Sequence, residues 1–404
     1  MANTPDTIII VCGGILQIPA VEEAKKLGLK TIVTDRDPNA PCRNLADEFY
    51  VLDIYDVKGH VKLVRKLKKE NNIKGVFTEG SEATISVAAA ANELGLPSIS
   101  IRSAINCRDK TMTRRILGKA KIPMPRWKEI TSRNNLSKAV KEIGFPLIIK
   151  AGNNSASRGS TKLWNEKGVI DAYNLAKRNS SNDKVIVEEL CEGYEQSVEI
   201  LFDKNKKCTY LNIVDRFFSK NKWSIELGHV NPSNLSPKEK MTLFKITQKA
   251  AKAMGINFGV FKADTMMTKR GPIILEVTPR LSGGFDSQKT TPISSGRNFI
   301  RAAMMLSMGL PIDKKDLRHK WKKYASVWTV LSSPGVVTKI DGLKTLKKIN
   351  GIKEIILIKK IGNKILPMTS SAVRPAYIIS EGSSYQEALN LTLAGSDLIK
   401  YRVK

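Results

Sequence analysis

The stretch from residue 259 to residue 284, GVFKADTMMTKRGPIILEVTPRLSGG, constrains this chain more than any other. Two runs with strand-like alternation flank a turn at Lys269, Arg270 and Gly271, which is the pattern of a β-hairpin. Asp264 and Glu276 are equidistant from Arg270, so a simple register sets them opposite each other. Side chains on one face of a strand recur every second residue. One face therefore carries Lys262, Asp264, Glu276, Thr278 and Arg280, and the other Phe261, Ala263, Leu275 and Val277. Like charges directly opposed across a sheet repel, which leaves two readings. Either a divalent cation sits between the carboxylates, or the face is solvated and Lys262 neutralises the acids.

With 404 residues the chain is long enough for two or three domains with cores of their own. No apolar run approaches the ~18–20 residues of a membrane span. The polar start MANTPDT, followed at once by IIIVC, lacks the layout of a signal peptide. Cys12, Cys42, Cys107, Cys191 and Cys208 are scattered and show no CxxC spacing, as expected of buried thiols in a reducing compartment. A cytoplasmic protein without membrane association is the expectation. The net charge of +29 is spread along the whole length, and its densest run, 62–69, reads as a solvated helix face. That distribution argues against nucleic acid as the main partner and suits attraction of small anions.

Taken in order, 7–12 reads as a strand, Gly13 and Gly14 as a turn, 17–27 as a helix and 31–34 as a strand ending at Asp35. This is a βαβ unit without the GxGxxG of a dinucleotide site, so a scaffold role is the better reading. Strands at 48–52, 75–78 and 98–101 alternate with helices at 57–69 and 81–94, which predicts a parallel sheet closing near Ile105. Arg108, Asp109 and Lys110 open a helix to Ala120, and a helix at 136–142 leads to the strand FPLIIK, which ends on Lys150. The loop AGNNSASRGSTK (151–162) is small and glycine-bearing, so its backbone N–H groups are free either to approach a phosphate or to form a surface hairpin. KVIVE (184–188) and 196–202 read as strands, and 215–229 as a polar, mobile segment over a site. Ser236 and Pro237 begin a helix reaching 254, and a helix at 297–308 would cover the hairpin. Beyond 324, strands at 326–331, 352–358 and 377–380 and a helix at 384–397 form a third small unit. His60 and His319 lie in charged surroundings and are expected to be solvated.

Lys110, the lysine of FPLIIK, the SRGS loop, VIVEELCEGYE and D-x11-E-V-T-P-R occur in the order and spacing of the ATP-grasp superfamily, which the chain resembles over nearly its whole length. The resemblance implies a mixed α/β and α+β architecture. It comprises a Rossmann-like pre-ATP-grasp domain (1–105), a two-part ATP-grasp domain (106–320, lid about 123–190) and a small carboxy-terminal α+β domain (321–404). Residue by residue, it implies that Lys110 and Lys150 hold the α- and β-phosphates of ATP. Ser157, Arg158, Gly159 and Ser160 would form the lid loop. Glu188, Glu189 and Leu190 would meet the adenine edge, with Glu188 taking the exocyclic amine and Glu195 the ribose. Asp264 and Glu276 would hold Mg²⁺ (or Mn²⁺), as hard oxygen donors do. Arg280 would steady the transferred phosphate. Thr278 stands where the family carries asparagine, so its part in metal ligation rests on a shorter reach.

The same resemblance implies that ATP activates a small-molecule carboxylate as an acylphosphate, which an amine then attacks to give an amide, ADP and phosphate. Arg280 is followed by Leu281, Ser282, Gly283 and Gly284, not by the Gln-Val-Glu-His of biotin carboxylases. This favours the carboxylate–amine and amino-acid ligase branch, in which homodimers are common. Ser282, Gly283, Gly284, His229 and Arg374 are candidates for the substrate side, with Gly283 and Gly284 opening room beside Arg280. A bicarbonate-using carboxylase, a non-catalytic binder of nucleotide or nucleic acid, and a dinucleotide oxidoreductase are the alternatives.

Overall fold

The computed structural model describes residues 5–312 and 317–404. Its architecture is mixed α/β and α+β. The strand Asp6–Val11 is apolar along its length because it is covered on both faces, as parallel strands are. Ile8 and Ile10 pack with Ala20, Val21 and Ala24 of helix Ile18–Lys26. Ile9 and Val11 point the other way, toward Val64 and Leu67 of helix Val57–Leu67 and Ala90 and Ala91 of helix Thr84–Glu93. The sheet order is Glu48–Val51, Lys30–Asp35, Asp6–Val11, Asn72–Phe77, all parallel. The strand expected at 98–101 does not form. Ser100 caps helix Ile101–Arg108 by accepting the Ser103 N–H, and the capping signal outweighs the short β-like pattern. His60, expected in solvent, is buried with its Nε2 3.1 Å from Thr34 Oγ1.

A second sheet of four strands, ordered Trp127–Ile130, Val185–Glu189, Leu147–Ala151, Thr161–Leu163, carries helices Asn134–Ile143 and Val169–Arg178 on a core of its own. The third and largest sheet is antiparallel throughout. Its eight strands run Gly271–Thr278, Gly259–Thr268, Tyr194–Phe202, Cys208–Phe218, Glu226–Asn231, Tyr324–Val330, Ala376–Gly382, Ile352–Leu357. The segment expected to be mobile, 215–229, thus supplies parts of two central strands. Within those strands Arg216, Phe218, Glu226 and His229 face an internal cleft, while Lys220, Asn221 and Lys222 of the connection between them are exposed. The carboxy-terminal strands likewise continue this sheet through Glu226–Asn231. Only Gly335–Asp341, Lys364–Ile365 and Lys400–Val403 form a small sheet apart.

Two-residue periodicity sorts the faces of the large sheet. Val198, Ile200, Phe261, Ala263 and Val277 pack against Leu243, Ile246 and Ala250 of helix Pro237–Ala253. That helix opens with a reciprocal Ser236–Glu239 capping box. On the opposite face Leu201, Leu211 and Val260 pack with Phe299 and Met304, and the remainder is largely polar and lines a cavity shared with Ile148 and Lys150 of the second sheet. Among the described residues, no helix is long and apolar enough to cross a membrane.

Candidate active site

The hairpin pairs Asp264 with Glu276 as its spacing predicts, but by a less simple route. The turn holds only Lys269 and Arg270, since Thr268 already pairs with Gly271, and a bulge after Asp264 restores the register. Leu275 is the extra residue. It lines the cleft beside Glu276 instead of joining the apolar face with Ala263 and Val277.

Pairing with neighbouring strands then builds rows of polar side chains across the sheet. One row runs Asn212, Glu199, Lys262, Thr278; the next Val214, Ser197, Asp264, Glu276; a third contains His229, Arg216 and Glu195. They floor a cavity of about 980 Å³. Lys150 and the 154–158 loop roof it, Gly80, Ser81 and Glu82 close it on the amino-terminal side, and Ser371 and Arg374 on the carboxy-terminal side.

Cations and carboxylates in this cleft are cross-paired. Lys110 Nζ lies 2.7 Å from Glu276 Oε1 and also donates to the Asn154 carbonyl. Lys262 and Arg216 reach the same oxygen of Asp264, at 2.5 and 2.9 Å. Arg216 further binds Glu195 at 3.0 Å and both oxygens of Glu226 at 3.1 Å, with Phe218 stacked 4.7 Å from its guanidinium. Sequence reasoning missed Arg216 and Glu226; only their strand positions, once known, would have put them on this face. Burial, opposed by Arg216 but reinforced by Asp264 and Glu226, pushes the Glu195 carboxyl up to about 7. His229 is buried and neutral, its pKa pulled down to about 4 chiefly by desolvation. It both borders the cavity and bonds Thr290 Oγ1 at 2.9 Å. His319 is exposed, as expected.

Of the residues carried over by resemblance, Lys110, Lys150, Ser157, Arg158, Ser160 and Glu195 border the cavity. Asp264, Glu276, Thr278, Arg280, Ser282, Gly283, Gly284, His229 and Arg374 do so too. Gly159, Glu188, Glu189 and Leu190 do not. The Glu188 side chain, expected to take an exocyclic amine, does not reach the cavity. It is fully enclosed, with Oε1 held by Arg114 at 2.6 Å and Oε2 by Lys150 at 2.8 Å. Glu189 binds Arg126 and Arg270, and the Leu190 N–H is spent on the Pro146 carbonyl. Gly283 also differs from expectation. Its missing side chain admits the backbone of Gly80, whose Cα would lie 3.3 Å from an added Cβ, so the space is taken by that close approach of two backbones. Gly284, at φ +68° with nothing within 4 Å of where a Cβ would stand, is glycine for its left-handed backbone. Arg280 donates to the Ser81 carbonyl at 2.9 Å and to Glu82 at 3.1 Å. Arg374 donates to the Glu226 carbonyl at 3.0 Å and lies over Tyr377.

The donor set fits a hard divalent cation that shares phosphate oxygens. Two carboxylates face each other across paired strands, and no third acid, histidine or cysteine completes a protein-only cage among the described residues.

Burial raises the Glu188 carboxyl, but Arg114 and Lys150 overcome it and hold the group down at about 2, against 4.5 unperturbed. A depressed acid stabilises the fold fully above its unfolded pKa, and that contribution fades as pH falls toward the folded value. Stability should therefore drop between pH 4.5 and about 2 more steeply in the parent than in Glu188→Gln, as urea titrations across that range will read.

These features together are those of an ATP-grasp fold, with Lys110, Lys150 and the facing acids in one cleft. Residues 143–289 match the ATP-grasp domain model and residues 21–98 the ATP-grasp N-terminal domain model. The chain belongs to the ATP-grasp superfamily. Within it, residues 327–404 match the L-amino acid ligase C-terminal domain 2 model. The crystal structure of an L-amino acid ligase from Bacillus licheniformis superposes with a TM-score of 0.85 over all of both chains at 23% identity. The formate-dependent phosphoribosylglycinamide formyltransferase of Saccharolobus solfataricus is 22% identical over 400 residues, covering 97% of this chain and 96% of that protein. The biotin carboxylase domain of Hydrogenobacter thermophilus 2-oxoglutarate carboxylase, solved with MgADP and bicarbonate, gives a TM-score of 0.75 at 17% identity. It covers 99% of this chain and 91% of that one.

Proposed function

We propose that this ATP-grasp enzyme joins two amino acids. It uses ATP to convert the carboxylate of one into an acylphosphate and passes it to the amino group of the other, releasing ADP and phosphate. The observation that carries this reading is the row of cross-paired lysines and acids under a roof bearing Lys150, beside a carboxy-terminal part of the L-amino acid ligase type. The nucleotide is ATP. Asp264 and Glu276, with Thr278 alongside, would hold Mg²⁺, which would offset the negative charge of the phosphates.

The remaining work falls to the chain's own side chains. Lys110 and Lys150 exchange Glu276 and Glu188 for phosphate oxygens, a task suited to compact cations on flexible stems. The 157–160 loop lies over the cleft, Ser157 bonding the Ser224 carbonyl, so it shields the acylphosphate from water. Arg280, anchored by Ser81 and Glu82, points a fixed positive charge where the carbonyl oxygen becomes anionic. A homodimer and a cytoplasmic location belong to the same proposal, and sedimentation of the purified chain tests the first.

Phosphate release measured with ATP, Mg²⁺ and a matrix of amino-acid pairs tests the function. Arg280→Ala should lower kcat by about 10²–10³-fold, the usual cost of losing a group that stabilises an oxyanion. Full activity in that variant would remove Arg280 from the chemistry.

A further inference from the structure

Beyond the nucleotide, the cleft ends on a short helix of π type, Asp286–Thr290, which follows Phe285 at φ +71°. Asp286 borders the cavity and is 3% exposed. Three donors hold its Oδ1: Thr291 Oγ1 at 2.9 Å and the amides of Asn231 and Asn212 at 3.3 and 3.5 Å. Its Oδ2 accepts no hydrogen bond within 3.5 Å. Around it, Glu79 Oε1, Glu199 Oε2, Gln288 Oε1, Asn212 Oδ1 and Asn231 Oδ1 are also buried and unpartnered. Every one is an acceptor. A buried region whose spare acceptors outnumber its spare donors, of which the Ser81 hydroxyl is one, is costly unless something bearing protons occupies it.

We propose that Asp286 receives the ammonium group of the acceptor substrate and takes the proton that must leave before attack. The idea rests on the ligase reading above and adds to it the identity of the base. Asp286 Oδ2 accepts one proton from R–NH₃⁺, and the freed lone pair forms the C–N bond at the acylphosphate carbonyl. The C–O bond to phosphate breaks, and the second amine proton departs with the phosphate. A carboxylate can serve as base for an amine only when its proton affinity is raised toward that of the amine. The surroundings do this. Burial comes first and the neighbouring Glu199 second, while Lys262 and the hydroxyls of Thr291 and Ser282 pull the other way. From the remaining packed elements, Glu79 faces the same network through Gln288, and neutral His229 through Thr290.

Hydroxylamine separates the two halves of the reaction, because it is uncharged at neutral pH and needs no base. With the donor amino acid that gives wild type its fastest hydroxamate formation, Asp286→Asn should keep that rate within about threefold. Amide formation with an amino-acid acceptor should fall about 100-fold at neutral pH and recover as pH rises. Equal loss with both nucleophiles, or no loss with either, would overturn the assignment. An absence of hydroxamate in wild type would instead overturn the ligase reading, so the two failures are distinct.

Discussion

Glu276→Ala should bring amino-acid-dependent phosphate release down by about 10²–10³-fold or more, whatever pair of substrates is supplied. Glu276 faces Asp264 across the hairpin and lies 2.7 Å from Lys110, so its loss unbalances two things at once. The hard-oxygen pair that suits a divalent cation becomes a single carboxylate. Lys110 keeps only the Asn154 carbonyl and loses the anion that positions it between turnovers. Raising Mg²⁺ should restore part of the rate if weakened metal affinity is the main defect. Activity within about threefold of the parent would remove Glu276 from the metal site. Because Glu276 is partly exposed, the variant should fold normally, which a far-ultraviolet circular dichroism spectrum checks.

Arg216→Met should cost about 3–5 kcal/mol of stability, the range found when one partner of a buried ionic network is removed. Arg216 touches Glu195, Glu226 and Asp264, and its side chain is 13% exposed. Without it three carboxylates share a low-dielectric cleft with too little positive charge, and Lys262 reaches only Asp264. Proton uptake by the acids would relieve the repulsion, so the loss should shrink as pH falls. Urea unfolding of parent and variant near neutral pH and near pH 5 reads both effects. Arg216→Lys should recover less than half, because an ammonium cannot hold both oxygens of Glu226 as the guanidinium does. A variant as stable as the parent would show that the network is electrostatically neutral overall.

What was readable along the chain was local. The alternation of Phe261, Ala263 and Val277 with Lys262, Asp264 and Thr278 specified a strand pair with one apolar and one charged face. The FPLIIK run marked a buried strand ending in a usable cation. The Ser236–Glu239 box marked a helix start. Such features depend on neighbours two to four positions away, so they survive without knowledge of the fold. Polarity misled wherever a polar side chain turned inward instead of toward water. Residues 215–229 looked like a mobile cover, yet 215–218 and 226–229 lie in central strands and only the connection between them is exposed. Glu188 looked like a ligand to adenine and is sealed between Arg114 and Lys150.

Periodicity placed the facing acids on one hairpin and Lys150 at the end of a strand, whereas the pairing of Lys110 with Lys150 and the part of the 157–160 loop came from the resemblance to the ATP-grasp superfamily. Which charges meet was not legible along the chain. Arg216 lies 21 residues from Glu195, 10 from Glu226 and 48 from Asp264 in the chain, yet strand pairing brings all three to one guanidinium. Asp286 owes its buried position in the same way to Asn212 and Asn231, which reach its Oδ1 from strands 74 and 55 residues away. Ion pairs and desolvation act through space over a few ångströms, and that distance is set by the folded backbone, not by the spacing of residues along it.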